Sequence, residues 1–476
     1  MGTARSMRAA AAIAPSAMEA LRAADAHLVH PATGHARQAR EGPMVVAAGS
    51  GATITLADGR TAIDGMAGLW CVVAGYGRGE LADAAAAQIR TLAYASTFAG
   101  GASPPALELA ERLVGLAPRG LTGVMFTTGG SEANDTAFKL ARYYWRLRGR
   151  PSKTIVLSHD RGYHGVTIGS TAATGLAAYH TDFGPLAPDF ERIPTPYCYR
   201  CSAGVPCDPA SCEVDTARAL ASTIERSGPD RVAAVIVEPV LGAGGVIPPP
   251  AGYLRALRDV CDRYEVLLIA DEVITAFGRT GRHFAVDHEG VVPDMITFAK
   301  GITSGYVPLG GVMLHARMWD ALHEVPGDPP LMHGYTFSGH PVACAVALAN
   351  LRILESEGLV EGVPAKARRL AASLARLRDL PEVGDVRGFG LLGGVELVAA
   401  PDGTPWPASV RRAASVVTAA RERGLLVRAL QGDILAIAPP FVITDEQIDT
   451  VGDLLAEAIV VSRPTAAPAV VGARGR

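Results

Sequence analysis

The sequence predicts an α/β fold, with a mostly parallel central sheet, helices on both faces, and a smaller α+β domain after it. Three observations predict this. Short apolar runs alternate with amphipathic stretches between residues 124 and 299, and strands that alternate with helices pair in parallel with helices over both faces. Glu238, Asp271 and Lys300 each end one of those apolar runs, on the carboxyl edge where such sheets place their ligands. After Pro341 the pattern changes to longer helical runs and short strands.

Taken in order, residues 1–20 read as a flexible leader. Arg5 and Arg8 precede an Ala-rich run that is only weakly hydrophobic, so a frayed start outweighs a targeting segment. Gly2 and Ser6 fit a myristoylation pattern, which is given the same low weight. Val124–Thr128 reads as a strand, Ser131–Leu147 as a helix and Thr154–Ser158 as a strand. Val235–Val237 is a third strand, Tyr253–Tyr264 an amphipathic helix, Leu267–Ala270 a strand, and Ile296–Ala299 closes the series. Beyond Pro341, helices are expected over Val342–Ser356, Val363–Leu377 and Ser409–Arg423. Short strands are expected within Asp385–Val398 and at Leu425–Arg428 and Leu435–Ala438. Residues 463–476, rich in Pro, Ala and Gly, read as a loose tail.

The bulk properties exclude several functions. The chain has 476 residues, 49% of them hydrophobic and 19% charged, with a net charge of -3 and a mean hydropathy of +0.21. A large core needs no disulfide support at this size. Nothing resembles the basic face of a nucleic-acid binder, and no run of 18 apolar residues marks a membrane span. Seven cysteines, an odd number, argue for a reducing cytoplasm over a disulfide scaffold.

The chemistry concentrates at two strand ends. Asp271 closes VLLIAD and Lys300 closes DMITFAK. An amine and a carboxylate on one sheet edge are what pyridoxal 5'-phosphate requires. The amine forms a Schiff base with its aldehyde, and the carboxylate keeps the pyridine nitrogen protonated so that the ring accepts electrons. TTGGSEAND at 127–135 ends a strand with glycines and opens a helix at Ser131. Unpaired N–H groups at such a start bind phosphate. By itself the motif reads as a glycine turn with a Ser cap; beside Lys300 and Asp271 the phosphate reading prevails. Tyr163 in RGYHG offers an aromatic face for a pyridine ring, with His164 as an oriented neighbour.

Other motifs carry less. Gly388, Gly390 and Gly393 satisfy G-x-G-x-x-G, but a strand-like run follows where a dinucleotide site needs a helix. Cys198, Cys201, Cys207 and Cys212 offer four thiols, too compressed for common zinc ribbons, so no metal is expected.

Together these blocks resemble class III pyridoxal-phosphate-dependent aminotransferases, and among them the ω-amino acid and amine:pyruvate transaminases. GLWCVVAGYG, TTGGSEANDTA, YHG, EPVLGAGGVIPPP, ADEVITAFGRTG, FAKGITSGYVPLGGV, YTFSGHP and the RALQGD–APP pair occur in the family's order between about His27 and Leu455. The resemblance implies PLP fold type I, with a large cofactor-binding domain over residues 76–340. A smaller domain would come from 21–75 and 341–462. It also implies a homodimer whose subunits share their active sites.

Residue by residue, the resemblance assigns Lys300 to the Schiff base and Asp271 to the pyridinium. Val273 lies behind the ring and Tyr163 stacks on it, while Gly130 and Ser131 cradle the phosphate. Thr336 binds phosphate in the neighbouring subunit, and Glu238 is a buried carboxylate near the cofactor. Trp70 and Tyr163 wall the substrate pocket, and Arg428 pairs with a substrate carboxylate. Ala243 stands where 4-aminobutyrate and ornithine-type members carry Glu, which favours a pocket open to amines. The expected reaction moves an amino group from an ω-amino acid or primary amine to a keto acid, with pyruvate the expected acceptor. The rival readings are a decarboxylase, racemase or aminomutase of the same fold, a nicotinamide oxidoreductase, and a zinc-loop scaffold.

Overall fold

The computed structural model describes residues 13–201, 212 and 217–464. Its centre is a seven-stranded sheet, whose strands run across it in the order Leu121–Thr127, Gly310–His315, Met295–Phe298, Leu267–Asp271, Val232–Val237, Ile155–His159 and Phe190–Ile193. The last five are parallel to one another, as the strand–helix alternation predicts.

Gly310–His315 was not among the expected strands. It lies antiparallel between Leu121–Thr127 and Met295–Phe298. Only residues 299–309 join it to Met295–Phe298, and so short a connection carries no crossover helix, which permits antiparallel pairing alone. Phe190–Ile193 was missed as well. It is a half-buried edge strand with too little apolar signal to stand out.

Both faces of the sheet are apolar and packed. Ala234 and Ile236 belong to one buried cluster with Ala137, Phe138, Ala141 and Trp145 of the Gly130–Leu147 helix. Val235 and Val237 point the other way, into a cluster with Leu254 and Leu257 of the Tyr253–Arg263 helix. Alternate residues of one strand therefore meet helices on opposite sides. Each large side chain buried this way is worth roughly 1.5–3 kcal/mol.

A four-stranded antiparallel sheet follows in the order Val383–Gly388, Gly393–Leu397, Ile434–Ile437 and Arg428–Leu430. The G-x-G-x-x-G motif is its first hairpin, with Gly388 paired to Gly393. Gly390 has φ +60°, and a Cβ there would lie 2.5 Å from Arg279 O. These glycines permit a close turn, and a strand follows them. The expected strand Leu425–Arg428 divides at Val427. Leu425–Leu426 pairs in parallel with Thr61–Asp64, at the end of a third sheet that also holds Val46–Ser50 and Thr53–Leu56, while Arg428–Leu430 joins the antiparallel one. The second helix after Pro341 starts at Leu359 and not at Val363, and holds Pro364 inside it. Pro15–Asp25, partly within the stretch read as leader, is helical. No helix among the described residues is long and apolar enough to cross a membrane.

Candidate active site

The carboxyl edge of the central sheet opens into a cavity of about 330 Å³ lined by Gly130, Ser131, Tyr163, Glu238, Asp271, Val273 and Lys300. Seven of the residues singled out from sequence thus meet in one place. Three of them arrive by strands: Glu238 follows Val232–Val237, Asp271 ends its own strand, and Lys300 lies just past Met295–Phe298.

Asp271 is buried and fully engaged on one side. Its Oδ2 accepts from Asn134 Nδ2 at 2.8 Å and from His164 Nδ1 at 2.8 Å, and its Oδ1 accepts from Val273 N at 3.1 Å. A carboxylate has about four acceptor positions, so one remains on the cavity side. Asn134 also donates to His164 O at 2.7 Å, which ties the helix start, the Tyr163 loop and the Asp271 strand into one unit.

Lys300 is half-buried, lining the cavity, and has φ +48°, a left-handed conformation that costs a non-glycine residue about 1–2 kcal/mol. Its surroundings enforce that turn. Asn350, buried on the Pro341–Ser356 helix, donates to Gly301 O and Ile302 O at 2.9 and 3.0 Å. Burial pushes the Lys300 amine below its usual value and the Arg428 charge adds to this, while Cys71, Asp271 and Glu238 oppose it. Burial also lifts Glu238 to about 7 and Tyr163 to about 12. Glu238 accepts from Tyr163 N and from Gly242 N, each at 2.8 Å, so it holds two loops that frame the cavity.

At the opposite wall, the Gly130–Leu147 helix starts after the extended residue Gly129, and no side chain caps it. Its first N–H groups therefore remain available to an anion. Ser131 is not a cap. Its Oγ accepts from Val166 N at 3.2 Å. A Cβ at Gly130 would come within 2.9 Å of Val273, so glycine lets Val273 close against the helix start.

The structure places the other sequence-derived residues elsewhere. Trp70 does not line this cavity. It is buried in a cluster with Met66, Val240, Val246 and Leu392, and Cys71 presents itself to the cavity in its place. Thr336 is exposed, and its carbonyl accepts from the Tyr94 hydroxyl at 2.9 Å. Ala243 and Arg428 line an adjoining chamber of about 610 Å³. Among the described residues no metal-holding cluster forms. Cys198 and Cys212 lie apart from the site, Cys207 falls outside the described residues, and Cys201 is disulfide-bonded, a departure from wholly reduced thiols.

Asn134 and Cys71 were missed from sequence. Asn134 had a readable signal: in GSEAND it falls one turn into the helix, on the same face as Gly130. Cys71 follows a residue with φ +66°, and nothing in its sequence context gives that turn away.

A family model for class III aminotransferases matches residues 35–459. This chain is a class III aminotransferase. A probable aminotransferase of Mycobacterium tuberculosis is 45% identical over 86% of this chain and 88% of its own length. A putrescine–pyruvate aminotransferase of Pseudomonas aeruginosa is 40% identical over 89% and 92%. An (S)-enantioselective ω-transaminase of Thermomicrobium roseum superposes with a TM-score of 0.90 at 45% identity, covering 94% of this chain and 99% of that one. The aminotransferase therefore has PLP fold type I, and its cofactor is pyridoxal 5'-phosphate. The cavity fits that group, with an uncapped helix start for the phosphate, an open carboxylate position at Asp271 for the ring nitrogen, and an amine at Lys300 on its wall.

Proposed function

We propose that this aminotransferase takes the amino group of an ω-amino acid or primary amine and delivers it to a keto acid, with pyruvate as acceptor. The observation that carries this reading is the convergence of the Lys300 amine with the Asp271–His164–Asn134 unit in one cavity. When bound, the cofactor supplies an electron-poor ring that takes up the charge left on the donor carbon as its proton departs.

The chain's own residues do the rest. Lys300 holds the cofactor at rest, and its amine, biased toward the neutral form by burial, then takes the proton from the donor carbon and returns it. Asp271 holds a proton at the ring nitrogen, and His164 and Asn134 keep its carboxylate aimed. Gly130 and Ser131 receive the phosphate, Tyr163 covers the ring and Val273 supports it from behind. Arg428, whose charge is felt at both Tyr163 and Lys300, grips the acceptor carboxylate. Residues 76–340 form the large domain, and 21–75 with 341–462 the smaller one.

The working unit is a homodimer. Tyr94, Phe98, Met332 and Phe337 leave large apolar surface exposed around Thr336, which supports burial of that face against a second copy and of Thr336 in its site. The test is alanine production from pyruvate with a panel of amine donors. Wild type is expected to form alanine and Lys300→Ala to form none while staying folded. Near-normal turnover in the variant would remove Lys300 from the mechanism.

A further inference from the structure

Two buried imidazole nitrogens near Asp271 have no hydrogen-bond partner: His164 Nε2 and His159 Nδ1. The residues are only 2 and 1% exposed, and an unpaired polar atom at such depth is costly. Gly162 adjoins both. A Cβ there would lie 2.9 Å from His164 Nε2 and 3.6 Å from His159 Cβ, so glycine keeps the space beside the two rings open. The other nitrogen of each ring is engaged. His164 Nδ1 bonds Asp271 Oδ2 at 2.8 Å, and His159 Nε2 bonds the Tyr253 hydroxyl at 2.9 Å. His159 ends the Ile155–His159 strand, and Tyr253, itself buried, opens the Tyr253–Arg263 helix.

The proton positions follow from the partners. An ionised carboxylate only accepts, so His164 carries its proton on Nδ1 and, when neutral, offers a lone pair at Nε2. Burial pushes His159 down to about 3, with His164 adding to the fall, so His159 is neutral and has a single N–H. When the Tyr253 hydroxyl donates to His159 Nε2, that N–H sits on Nδ1. A donor is then matched to the orphaned acceptor of His164. One connection, direct or through a single buried water, satisfies both.

We propose that His159 and Tyr253 are positioning residues for the cofactor ring, the far end of a one-way donor chain that runs Tyr253–His159–His164–Asp271 and fixes the His164 tautomer. The proposal rests on the aminotransferase reading and extends it to residues that do not touch the cofactor. With the chain closed, Asp271 always receives a proton-bearing nitrogen and stays a carboxylate, so the proton it faces remains on the ring nitrogen. With the chain cut, His164 is free to hold its proton on Nε2. It then turns a lone pair toward Asp271, and the carboxyl competes for the ring proton.

Neutron diffraction from holoenzyme crystals locates the protons. The expected result is a deuteron on Nδ1 and none on Nε2 in both His159 and His164, with the two rings joined directly or through one water. A deuteron on Nε2 of either ring, or rings that share no connection, overturns the chain. Kinetics supply an independent reading. Tyr253→Phe removes only the hydroxyl, His159→Leu removes both nitrogens, and His159→Asn keeps an N–H where Nδ1 stands. Tyr253→Phe and His159→Leu are expected to lower kcat about tenfold with the donor KM within about twofold of wild type, and His159→Asn to restore most of the loss. The visible absorption of the bound cofactor, which follows ring protonation, should change in His159→Leu and return in His159→Asn. Equal losses in His159→Leu and His159→Asn, or a raised KM with kcat unchanged, overturn the chain and leave the aminotransferase reading intact. Absence of alanine formation by the wild type with every donor overturns that reading, while the proton positions are still read from the crystal.

Discussion

Replacing Asp271 with Asn removes a charge while keeping the shape. In the structure Asp271 receives three hydrogen bonds, from His164, Asn134 and Val273 N. An amide has one oxygen to offer where the carboxylate has two, so at least one donor is left facing another donor. An unsatisfied buried group costs about 1–3 kcal/mol of stability, which a folded protein of this size tolerates. The catalytic cost is larger. At an effective dielectric of about 20, opposite unit charges about 4 Å apart attract by about 4 kcal/mol. Losing that hold on the protonated ring nitrogen slows the proton-transfer step about a thousandfold. Single-turnover bleaching of the cofactor with a saturating amine donor reads this step directly, and denaturant unfolding checks the fold in parallel. A loss below about tenfold, or about 1.4 kcal/mol, would refute the assignment of Asp271 as the group that keeps the ring protonated. In that case Asp271 only organises His164 and Asn134.

Two further outcomes follow from the same geometry. Glu238 is lifted to about 7 by burial, with Asp271 adding to the rise and His164 and the bonds from Gly242 N and Tyr163 N opposing it; Lys300 shares its cavity. Protonation weakens its hold on the Tyr163 and Gly242 loops, so kcat/KM should fall on the acid side with an apparent pKa near 7, a limb that Glu238→Gln flattens. The stability effect has the opposite sense. A carboxyl raised from 4.5 to about 7 binds a proton in the folded state that the unfolded chain has released. Its contribution is therefore fully present below pH 4.5 and lost as pH rises through 7. Apoprotein should accordingly lose stability relative to Glu238→Gln between pH 5 and 8 in denaturant titrations, and a pH-independent difference would count against the shift. Lys153 is fully buried and donates to Pro229 O, Val232 O and Glu265 O at 3.0, 3.0 and 2.8 Å, with the Trp145 ring 4.5 Å away. Lys153→Met strands three carbonyls and should cost about 3 kcal/mol of unfolding free energy with kcat nearly unchanged; a cost under about 1 kcal/mol would mean water replaces the amine.

The sequence by itself determined the strand–helix alternation, and with it the carboxyl edge on which Glu238, Asp271 and Lys300 appear, because parallel strands covered by helices all point the same end at the ligand. It determined the glycine approach to the helix at Gly130, since the motif sits at a strand end. Local pattern did not reveal that Asn134 and His164 hold Asp271, that Asn350 fixes the turn at Lys300, or that Trp70 turns into the core and leaves Cys71 at the wall. Those contacts join residues up to 137 positions apart, and a side chain's partner over that distance is decided by how sheet and helices pack. Tertiary structure alone also set the chamber that Ala243 and Arg428 line, because its walls come from the 166–186 stretch and the Arg428–Leu430 strand, which no local signal connects.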